Sequence, residues 1–317
     1  MRKILVLGTG GTISCKESAD GLTPALSVSE LVKGIALPVE SVEIFAEQLF
    51  ELDSTNMTPQ NWITTAKRIR ERYDEFDGFV ITHGTDTMGY AAASLSCLIQ
   101  NSKKPVVLTG SMLPMSAENS DAPENLRDAV LFAADERAFG VRVAFCGKII
   151  DGRCAVKVDT SSADAFFSVN NKYSGEITND GRVIFGETHS GKTRFYERLS
   201  DDVFQAKLIP GQALFVPENA RAAILECYGS GGIPDYLMDE IERLARKGVY
   251  IIIATQCLFG GTDIKRYEVG RKAAERFSLL ETGKMTVEYA AARARWALEY
   301  SKDFKEFCEL FQDPDFV

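Results

Sequence analysis

Residues 4–13 read ILVLGTGGTI, an aliphatic run that stops at a glycine-rich loop. Short apolar runs of the same kind recur along the chain and close on small or hydroxyl residues. They lie at residues 79–82, 106–109, 141–145, 222–225 and 249–254. Short runs that are apolar throughout are typical of strands buried on both faces of a parallel sheet. A further strand is predicted over residues 42–50.

Amphipathic stretches with helical spacing separate these runs. The clearest begins at Thr58-Pro59, with a capping hydroxyl followed by proline at the first helical position, and extends to about Tyr73. Others cover residues 86–100, 123–134, 234–247, 267–276 and 285–300. Alternating strands and helices predict an α/β fold with a mainly parallel sheet and helices on both of its faces.

The chain length of 317 residues suggests about two domains. A polar segment without strong periodicity runs from about residue 188 to residue 202 and reads as a linker. We therefore predict a larger N-terminal domain over residues 1–190, a linker over 191–202, and a smaller C-terminal α/β domain with a parallel sheet over 203–317.

Composition excludes several classes of function. The chain has 36 Lys and Arg against 45 Asp and Glu, a net charge of −9, which does not suit a polynucleotide or an anionic membrane as a partner. No apolar stretch approaches the roughly 20 residues of a membrane span. Seven cysteines without a CxxC pair suit free thiols in the cytoplasm. With two histidines far apart in sequence, no metal site is expected.

Polar residues gather where four of the predicted N-terminal strands end. The loops are Gly8 to Ile13, Asp53-Ser54-Thr55, His83 to Thr87, and Thr109-Gly110-Ser111. Ligands of parallel sheets bind beyond the carboxyl ends of the strands. Any one of these loops could be an ordinary turn or helix cap. Four of them together favour a binding site.

The first loop does not match a dinucleotide fingerprint, because Ile13 stands where the third glycine is needed. Thr12 is better interpreted as a nucleophile. A threonine hydroxyl needs a base to take its proton and a third group to orient that base. Asp86 and Lys157 could form such an arrangement, although a lysine is more often a solvated surface residue.

These residues also carry a family resemblance. Thr9-Gly10-Gly11-Thr12-Ile13 and the stretch from His83 to Met88 resemble the two signatures of bacterial-type L-asparaginases. Asp53 to Pro59 and Thr255-Gln256-Cys257 resemble the cytoplasmic type I branch. The similarity extends from the first strand to Met285-Thr286-Val287-Glu288, which is nearly the whole chain.

The resemblance implies hydrolysis of L-asparagine to L-aspartate and ammonia without a metal or an organic cofactor. Thr12 would be the nucleophile of an acyl-enzyme, and Thr85 would work with Asp86 and Lys157 to activate the water or the attacking hydroxyl. Asp86 would also face the substrate ammonium. The remaining contacts to this small zwitterion are expected from Asp53, Ser54, Thr55, Gly84 and Ser111. The family further implies flavodoxin-like domains and a homodimer or homotetramer.

Two positions depart from the family pattern. The active-site loop usually carries a tyrosine, where this chain has Leu22, which has no hydroxyl to relay a proton. Some type I enzymes bind asparagine at a regulatory site through an arginine, where this chain has Glu226. Because a carboxylate repels the substrate carboxylate, we predict that this allostery is absent.

Three other functions stay open. Residues 186–193, GETHSGKT, satisfy the phosphate-loop pattern and follow an apolar run at 183–185, so a nucleotide-binding protein is conceivable if a helix follows. An amidotransferase-type protein would share the asparaginase signatures but usually carries an extra N-terminal domain, whereas the first strand here begins at Lys3. Leu22 leaves room for a pseudo-enzyme that only senses asparagine.

Overall fold

The computed structural model describes residues 1–18, 21–37, 42–178, 180–186, 191–266, 270–271, 274 and 276–313, with the backbone alone for residues 17, 18, 22 and 24. Contacts divide the chain into two units, Met1–Glu197 and Arg198–Val317. The first unit ends inside the segment predicted as a linker.

Among its described residues, the first unit combines strands of very different length with four α-helices. Its strands are β1 Arg2–Gly10, β2 Cys15–Ser18, β3 Gly21–Pro24, β4 Val42–Leu52, β5 Gly78–Thr82, β6 Ile99–Gln100, β7 Pro105–Thr109, β8 Gly140–Phe145, β9 Lys148–Asp151, β10 Ala155–Lys157, β11 Phe166–Ser168, β12 Gly175–Ile177, β13 Val183–Phe185 and β14 Arg194–Phe195. Its helices are α1 Val28–Lys33, α2 Pro59–Arg72, α3 Met88–Leu98 and α4 Ala122–Ala134.

Eight of these strands form one sheet in the order β13-β12-β9-β8-β7-β5-β1-β4. Strands β4, β1, β5, β7 and β8 are parallel, and β9, β12 and β13 continue the sheet antiparallel. Counted along the chain, the five parallel strands have the order 2-1-3-4-5 of a flavodoxin-like sheet. The predicted fold class is confirmed. This order reverses between β1 and β5, which is where such sheets bind ligands.

Burial on both faces explains why the strand sequences are apolar throughout. On β1, Ile4 and Val6 belong to the same core cluster as Leu126 of α4. Leu5 and Leu7 alternate with them, belong to the opposite face of the sheet, and are also buried. A two-sided core of this kind leaves the carboxyl ends of the strands as the place where polar loops gather.

Helix α2 follows its predicted start. Pro59 is the first helical residue, and the Asn61 side chain accepts hydrogen bonds from both the backbone N–H and the hydroxyl of Thr58. The helix after β5 is shorter than predicted, because Ile99–Gln100 leave the helix and pair antiparallel with β14. A pairing of two residues across about a hundred positions leaves no periodic signal in the sequence.

The second unit contains a four-stranded parallel sheet in the order β15-β16-β17-β18. Its elements are β15 Val203–Lys207, β16 Ala222–Cys227, α5 Met238–Arg246, β17 Tyr250–Thr255, β18 Leu279–Glu281, α6 Val287–Tyr300 and α7 Phe304–Gln312. Much of the helix predicted over residues 267–276 lies outside the described residues. The described helices include none that is long and apolar enough to cross a bilayer.

Candidate active site

At the end of β1, two glycines bring the main chain into contact with the end of β4 and with the loop after β5. Gly10 and Gly11 have φ angles of +103° and +86°, which L-residues with side chains rarely adopt. A β-carbon on Gly11 would lie 2.3 Å from the backbone nitrogen of Gly84, and one on Gly10 would lie 2.3 Å from the carbonyl oxygen of Leu52. Any side chain at either position would therefore force the loops apart.

Thr12 begins a short 3₁₀ helix, Thr12–Ser14, directly after this glycine pair. Its side chain is half-buried and lines a cavity of about 350 Å³. Among the described residues, none is hydrogen-bonded to its hydroxyl. The hydroxyl is therefore available to a ligand in the cavity.

Thr85 and Asp86 open the corresponding 3₁₀ turn after β5, Thr85–Thr87, which leads into α3. Lys157 Nζ donates to Thr85 Oγ1 at 2.8 Å and to Asp86 Oδ1 at 2.7 Å. Thr85 is buried, whereas the Asp86 side chain is 58% exposed. The distant lysine considered from the sequence therefore lies within hydrogen-bonding distance of the carboxylate.

The Lys157 side chain comes from outside the large sheet. It is the last residue of β10, which pairs with β11 as a separate two-stranded ribbon. The side chain is 17% exposed, so most of it is withdrawn from water. A lysine held in this way is a fixed donor to both Thr85 and Asp86.

The loop after β4 supplies the opposite wall of the cavity. Asp53 caps a 3₁₀ helix, Ser54–Asn56, and its Oδ1 accepts from both the backbone N–H and the hydroxyl of Thr55 at 2.8 Å. The Thr87 hydroxyl donates to the Ser54 carbonyl at 2.8 Å, which ties this loop to the one after β5. Ser54 itself is 3% exposed and faces the cavity.

The cavity lining contains most of the predicted site residues and several that were missed. The lining residues are Gly11, Thr12, Cys15, Glu51, Leu52, Asp53, Ser54, Asn56, Gly84, Thr85 and Asp86. Glu51 and Asn56 flank the recognised Asp53-Ser54-Thr55, so extending that motif at both ends would have included them. Three carboxylates face the cavity, which suits a ligand with a cationic group.

Ser111 lies elsewhere. Its hydroxyl donates to the Leu113 carbonyl at 2.5 Å, the residue is 1% exposed, and it does not line the cavity. The Leu22 backbone pairs with Glu17 in the β2–β3 hairpin, but its side chain lies outside the described residues. The direct substrate contact predicted for Ser111 therefore has no support in this arrangement.

Burial sets the protonation state of two neighbouring side chains. Burial lowers the pKa of His83, so its imidazole is neutral and its Nδ1 donates to the Gly84 carbonyl at 2.7 Å. Burial and the charge of Asp53 raise the pKa of the Cys15 thiol, whose Sγ donates to the Gly11 carbonyl at 3.4 Å. Cys15 is therefore a protonated thiol and a poor nucleophile.

The phosphate-loop motif lies partly outside the described residues, which omit 187–190. The described remainder does not lead into a helix, because Arg194–Phe195 form strand β14. Thr193 Oγ1 donates to the Asn101 carbonyl at 2.9 Å and accepts from the Lys103 N–H at 3.0 Å. Its hydroxyl is thus engaged with the main chain, and the helix that the motif requires is absent from these residues.

Comparison with known proteins agrees with this geometry. Residues 3–189 match the family model for the asparaginase N-terminal domain, and residues 206–311 match that for the glutaminase/asparaginase C-terminal domain. The chain belongs to the asparaginase family. The L-asparaginase of Thermococcus kodakarensis is 38% identical over 98% of this chain and 97% of its own length.

Solved structures and a second group of relatives extend the comparison. The structure of the thermostable L-asparaginase from T. kodakarensis superposes with a TM-score of 0.90, covering 99% of this chain and 98% of that chain at 36% identity. That of the probable cytoplasmic L-asparaginase from Campylobacter jejuni gives 0.84, covering 98% and 99% at 27% identity. A glutamyl-tRNA(Gln) amidotransferase subunit of Pyrococcus furiosus is 31% identical over 96% of this chain and 73% of its own length. This asparaginase-family protein is an amidohydrolase.

Proposed function

We propose that this protein hydrolyses L-asparagine to L-aspartate and ammonia through an acyl-enzyme on Thr12. The observation that carries the proposal is the contact of Lys157 Nζ with both Thr85 and Asp86, at 2.8 and 2.7 Å, at the cavity that Thr12 lines. Nucleophilic catalysis by a hydroxyl needs an adjacent proton acceptor that is itself oriented by a third group. Thr85, Asp86 and Lys157 have the chemistry and spacing for that task.

In the first half of the reaction, Thr12 Oγ1 attacks the side-chain amide carbon of asparagine. The hydroxyl proton passes through the Thr85–Asp86–Lys157 cluster to the leaving nitrogen, the C–N bond breaks, and ammonia departs. The product is an ester between Thr12 and the β-carboxyl of aspartate. Backbone N–H groups beside Thr12 and Thr85 stabilise the oxyanion; a donor in that role contributes about 10²–10³ in rate.

In the second half, a water molecule takes the place of ammonia. The same cluster accepts a proton from the water, whose oxygen attacks the ester carbon. The ester bond then breaks, the proton returns to Thr12 Oγ1, and L-aspartate leaves. No metal or organic cofactor enters these steps, and the described residues contain no cluster of three metal-ligating side chains.

The two charged ends of asparagine find complementary groups in the cavity. Asp53 and Asp86 face the α-ammonium, and the Ser54 hydroxyl with nearby backbone N–H groups binds the α-carboxylate. Because the Thr55 hydroxyl is bonded to Asp53, we assign it the role of fixing that carboxylate. The Ser111 hydroxyl serves the loop after β7 in the same indirect way.

A coupled assay of ammonia release tests the proposal. The expected result is turnover of L-asparagine exceeding that of D-asparagine and L-glutamine, with an acyl-enzyme on the Thr12 peptide trapped by acid quench and detected by mass spectrometry. Binding of L-asparagine in calorimetry without any ammonia release would contradict hydrolysis and identify a sensor. A hyperbolic saturation curve is expected, because Glu226 replaces the regulatory arginine; a sigmoidal curve would contradict that part.

The similarity to the P. furiosus amidotransferase protein supports a second candidate, in which the ammonia is passed on to a partner enzyme. Full turnover by the isolated chain would favour the free asparaginase. Release that requires an added glutamyl-tRNA-dependent partner would favour the second candidate.

We also propose that the protein is a cytoplasmic homodimer or homotetramer. Support for the location comes from the cytoplasmic description of the C. jejuni relative and from the acidic composition with no CxxC pair. Support for the assembly comes from the family resemblance. Light scattering after size-exclusion chromatography is expected to give two or four times the chain mass, and a monomer at micromolar concentration would contradict the assembly.

A further inference from the structure

We propose that Asp151 is a positioning residue for the reaction: its buried carboxylate fixes the turn that delivers Lys157 to Thr85 and Asp86. This inference rests on the proposed function for its kinetic consequence, but its structural part is independent of it. Asp151 does not line the cavity and lies outside the family signatures recognised in the sequence.

Asp151 is the last residue of β9 and is fully buried. Its Oδ1 accepts from the backbone N–H and the Nε of Arg153 at 2.9 and 2.8 Å, and its Oδ2 accepts from the Nη2 of Arg153 at 2.7 Å. The Nη1 of buried Arg142, on β8, lies 3.3 Å from the same Oδ2. One carboxylate therefore joins two guanidinium groups and the first residues beyond the sheet.

The charges at this point favour the ionised carboxylate. Burial alone would raise the pKa of Asp151, but the positive charges of Arg142 and then of Arg153 hold it well below its usual range. A buried ion pair is stable only when its hydrogen bonds are well satisfied, as they are here. The turn thus has one defined geometry.

The chain then leaves the large sheet and becomes the ribbon that carries Lys157. The N–H of Cys154 donates to the Asp151 carbonyl at 2.8 Å, and the N–H of Gly152 donates to the Val141 carbonyl at 3.0 Å. Strand β10 begins at Ala155 and reaches Lys157 within three residues. Because few residues lie between the fixed turn and Lys157, few backbone torsions can shift the amine of Lys157 relative to the turn.

The same turn also packs against the helix that follows Thr85 and Asp86. A β-carbon on Gly152 would lie 3.1 Å from the Ala92 carbonyl oxygen of α3, and β10 itself contacts α3. The turn therefore sets the separation between Lys157 and the helix start that presents Thr85 and Asp86. A shift of about 1 Å at a reacting group can cost on the order of 10²-fold in rate.

The kinetic test compares Asp151→Asn with a matched control, Asp128→Asn. Asp128 is also a buried carboxylate of the first unit, paired with Arg127, but it lies on α4. We expect Asp151→Asn to lower kcat by about 10- to 100-fold with KM changed less than about threefold, and Asp128→Asn to leave kcat within about twofold of the wild type. Equal effects of the two variants on kcat would overturn the proposal.

A second readout does not need activity. Lys157 is shielded by its two hydrogen bonds, so limited acetylation followed by mass spectrometry is expected to modify it slowly in the wild type and in Asp128→Asn. Asp151→Asn is expected to make it react several-fold faster. Unchanged acetylation of Lys157 in Asp151→Asn would overturn the positioning role, whereas a wild type that releases no ammonia would overturn the proposed function alone.

Two further variants keep the test decisive. If Asp151→Asn does not fold, Arg153→Met removes one of the two guanidinium partners and is expected to give the same change in acetylation with a smaller loss of kcat. In a Lys157→Met background, Asp151→Asn should lower the melting temperature but cause no further loss of kcat, because the residue acts through Lys157. A full additional loss in that background would assign Asp151 a merely structural role.

Discussion

The carboxyl edges of the two parallel sheets carry similar side chains but use them differently. At the large sheet, the hydroxyl of Thr12 faces a cavity without a described partner. At the small sheet, Thr255 donates to the Gly229 carbonyl, and Gln256 donates to the carbonyls of Leu208 and Glu226. Glu226 in turn accepts from Gln205 at 2.9 Å. The comparison shows that polar residues at a sheet edge favour a site where at least one hydroxyl, here that of Thr12, is left without an internal hydrogen bond among the described residues.

Replacing the threonine at each edge by alanine gives the largest contrast. Thr12→Ala removes the proposed nucleophile, and we expect ammonia release to fall by about 10³-fold or more with an unchanged melting temperature. Thr255→Ala removes a buried hydrogen bond, and we expect it to lower the unfolding free energy of the second unit by about 1–3 kcal/mol with kcat intact. Ammonia assays and thermal unfolding of both variants test this. An active Thr12→Ala variant together with an inactive Thr255→Ala variant would show that the two edges are misassigned.

Replacing one lysine in each unit offers the next largest contrast. Lys157→Met takes the shared donor away from Thr85 and Asp86, so kcat should fall by about 10²-fold or more. Thr85→Val should have a similar effect. Lys207, the exposed last residue of β15, is the matched control, and Lys207→Met should retain the wild-type kcat. Steady-state kinetics with all three variants test this, and an active Lys157→Met variant would break the proposed mechanism.

One buried side chain in each unit should also contribute to the acid response, and the two contributions have opposite signs. The pKa of buried His83 is lowered in the folded state, so the unfolded chain binds more protons below about pH 6.5 and the first unit loses up to about 1.4 kcal/mol per pH unit. Burial raises the pKa of Glu288 in the second unit, and the charge of Glu226 adds to this. Glu288 therefore takes up a proton in the folded state first, and its contribution to the stability of that unit grows as pH falls.

The two tryptophans allow this to be measured unit by unit, because Trp62 lies in the first unit and Trp296 in the second. In the Trp296→Phe variant, the fluorescence of Trp62 follows denaturant unfolding of the first unit between pH 7 and pH 5. In the Trp62→Phe variant, Trp296 follows the second unit in the same way. Adding His83→Asn should reduce the dependence of the unfolding free energy on pH in the first unit. Adding Glu288→Gln should reduce the same dependence in the second unit. Slopes that do not respond to these substitutions would contradict the assigned groups.

The smallest expected effect concerns Glu51, the third carboxylate of the cavity. If its charge attracts the α-ammonium of asparagine, Glu51→Gln should raise KM by about two- to fivefold and leave kcat unchanged, as a solvent-exposed charge contributes little. The KM of succinamic acid, which lacks the ammonium, should not rise. Equal increases for both substrates would show that Glu51 does not recognise the amino group.

The sequence predicted the parallel strands and α2 well, because these elements depend on local patterning and on a cap at Thr58. The pairing of Lys157 with Asp86 was considered from the needs of a threonine nucleophile and from the family resemblance, since no local pattern links residues that far apart. The sequence missed Cys15 and Glu51, since cavity lining depends on the direction in which a side chain leaves its loop. It wrongly extended a helix through Ile99, because the pairing of β6 with β14 is decided by distant residues.

The main-chain contact at Gly11 and Gly84 has a consequence for how this chemistry can diverge. Because backbone meets backbone there, the gap between the loops that carry Thr12 and Thr85 is limited by main-chain atoms and not by any exchangeable side chain. Selection can reshape the walls around that gap residue by residue, but it cannot widen or narrow the gap in small steps. New substrate preferences in this scaffold should therefore arise at the wall, at positions such as Glu51 and Asn56, while the spacing of the alcohols stays constant.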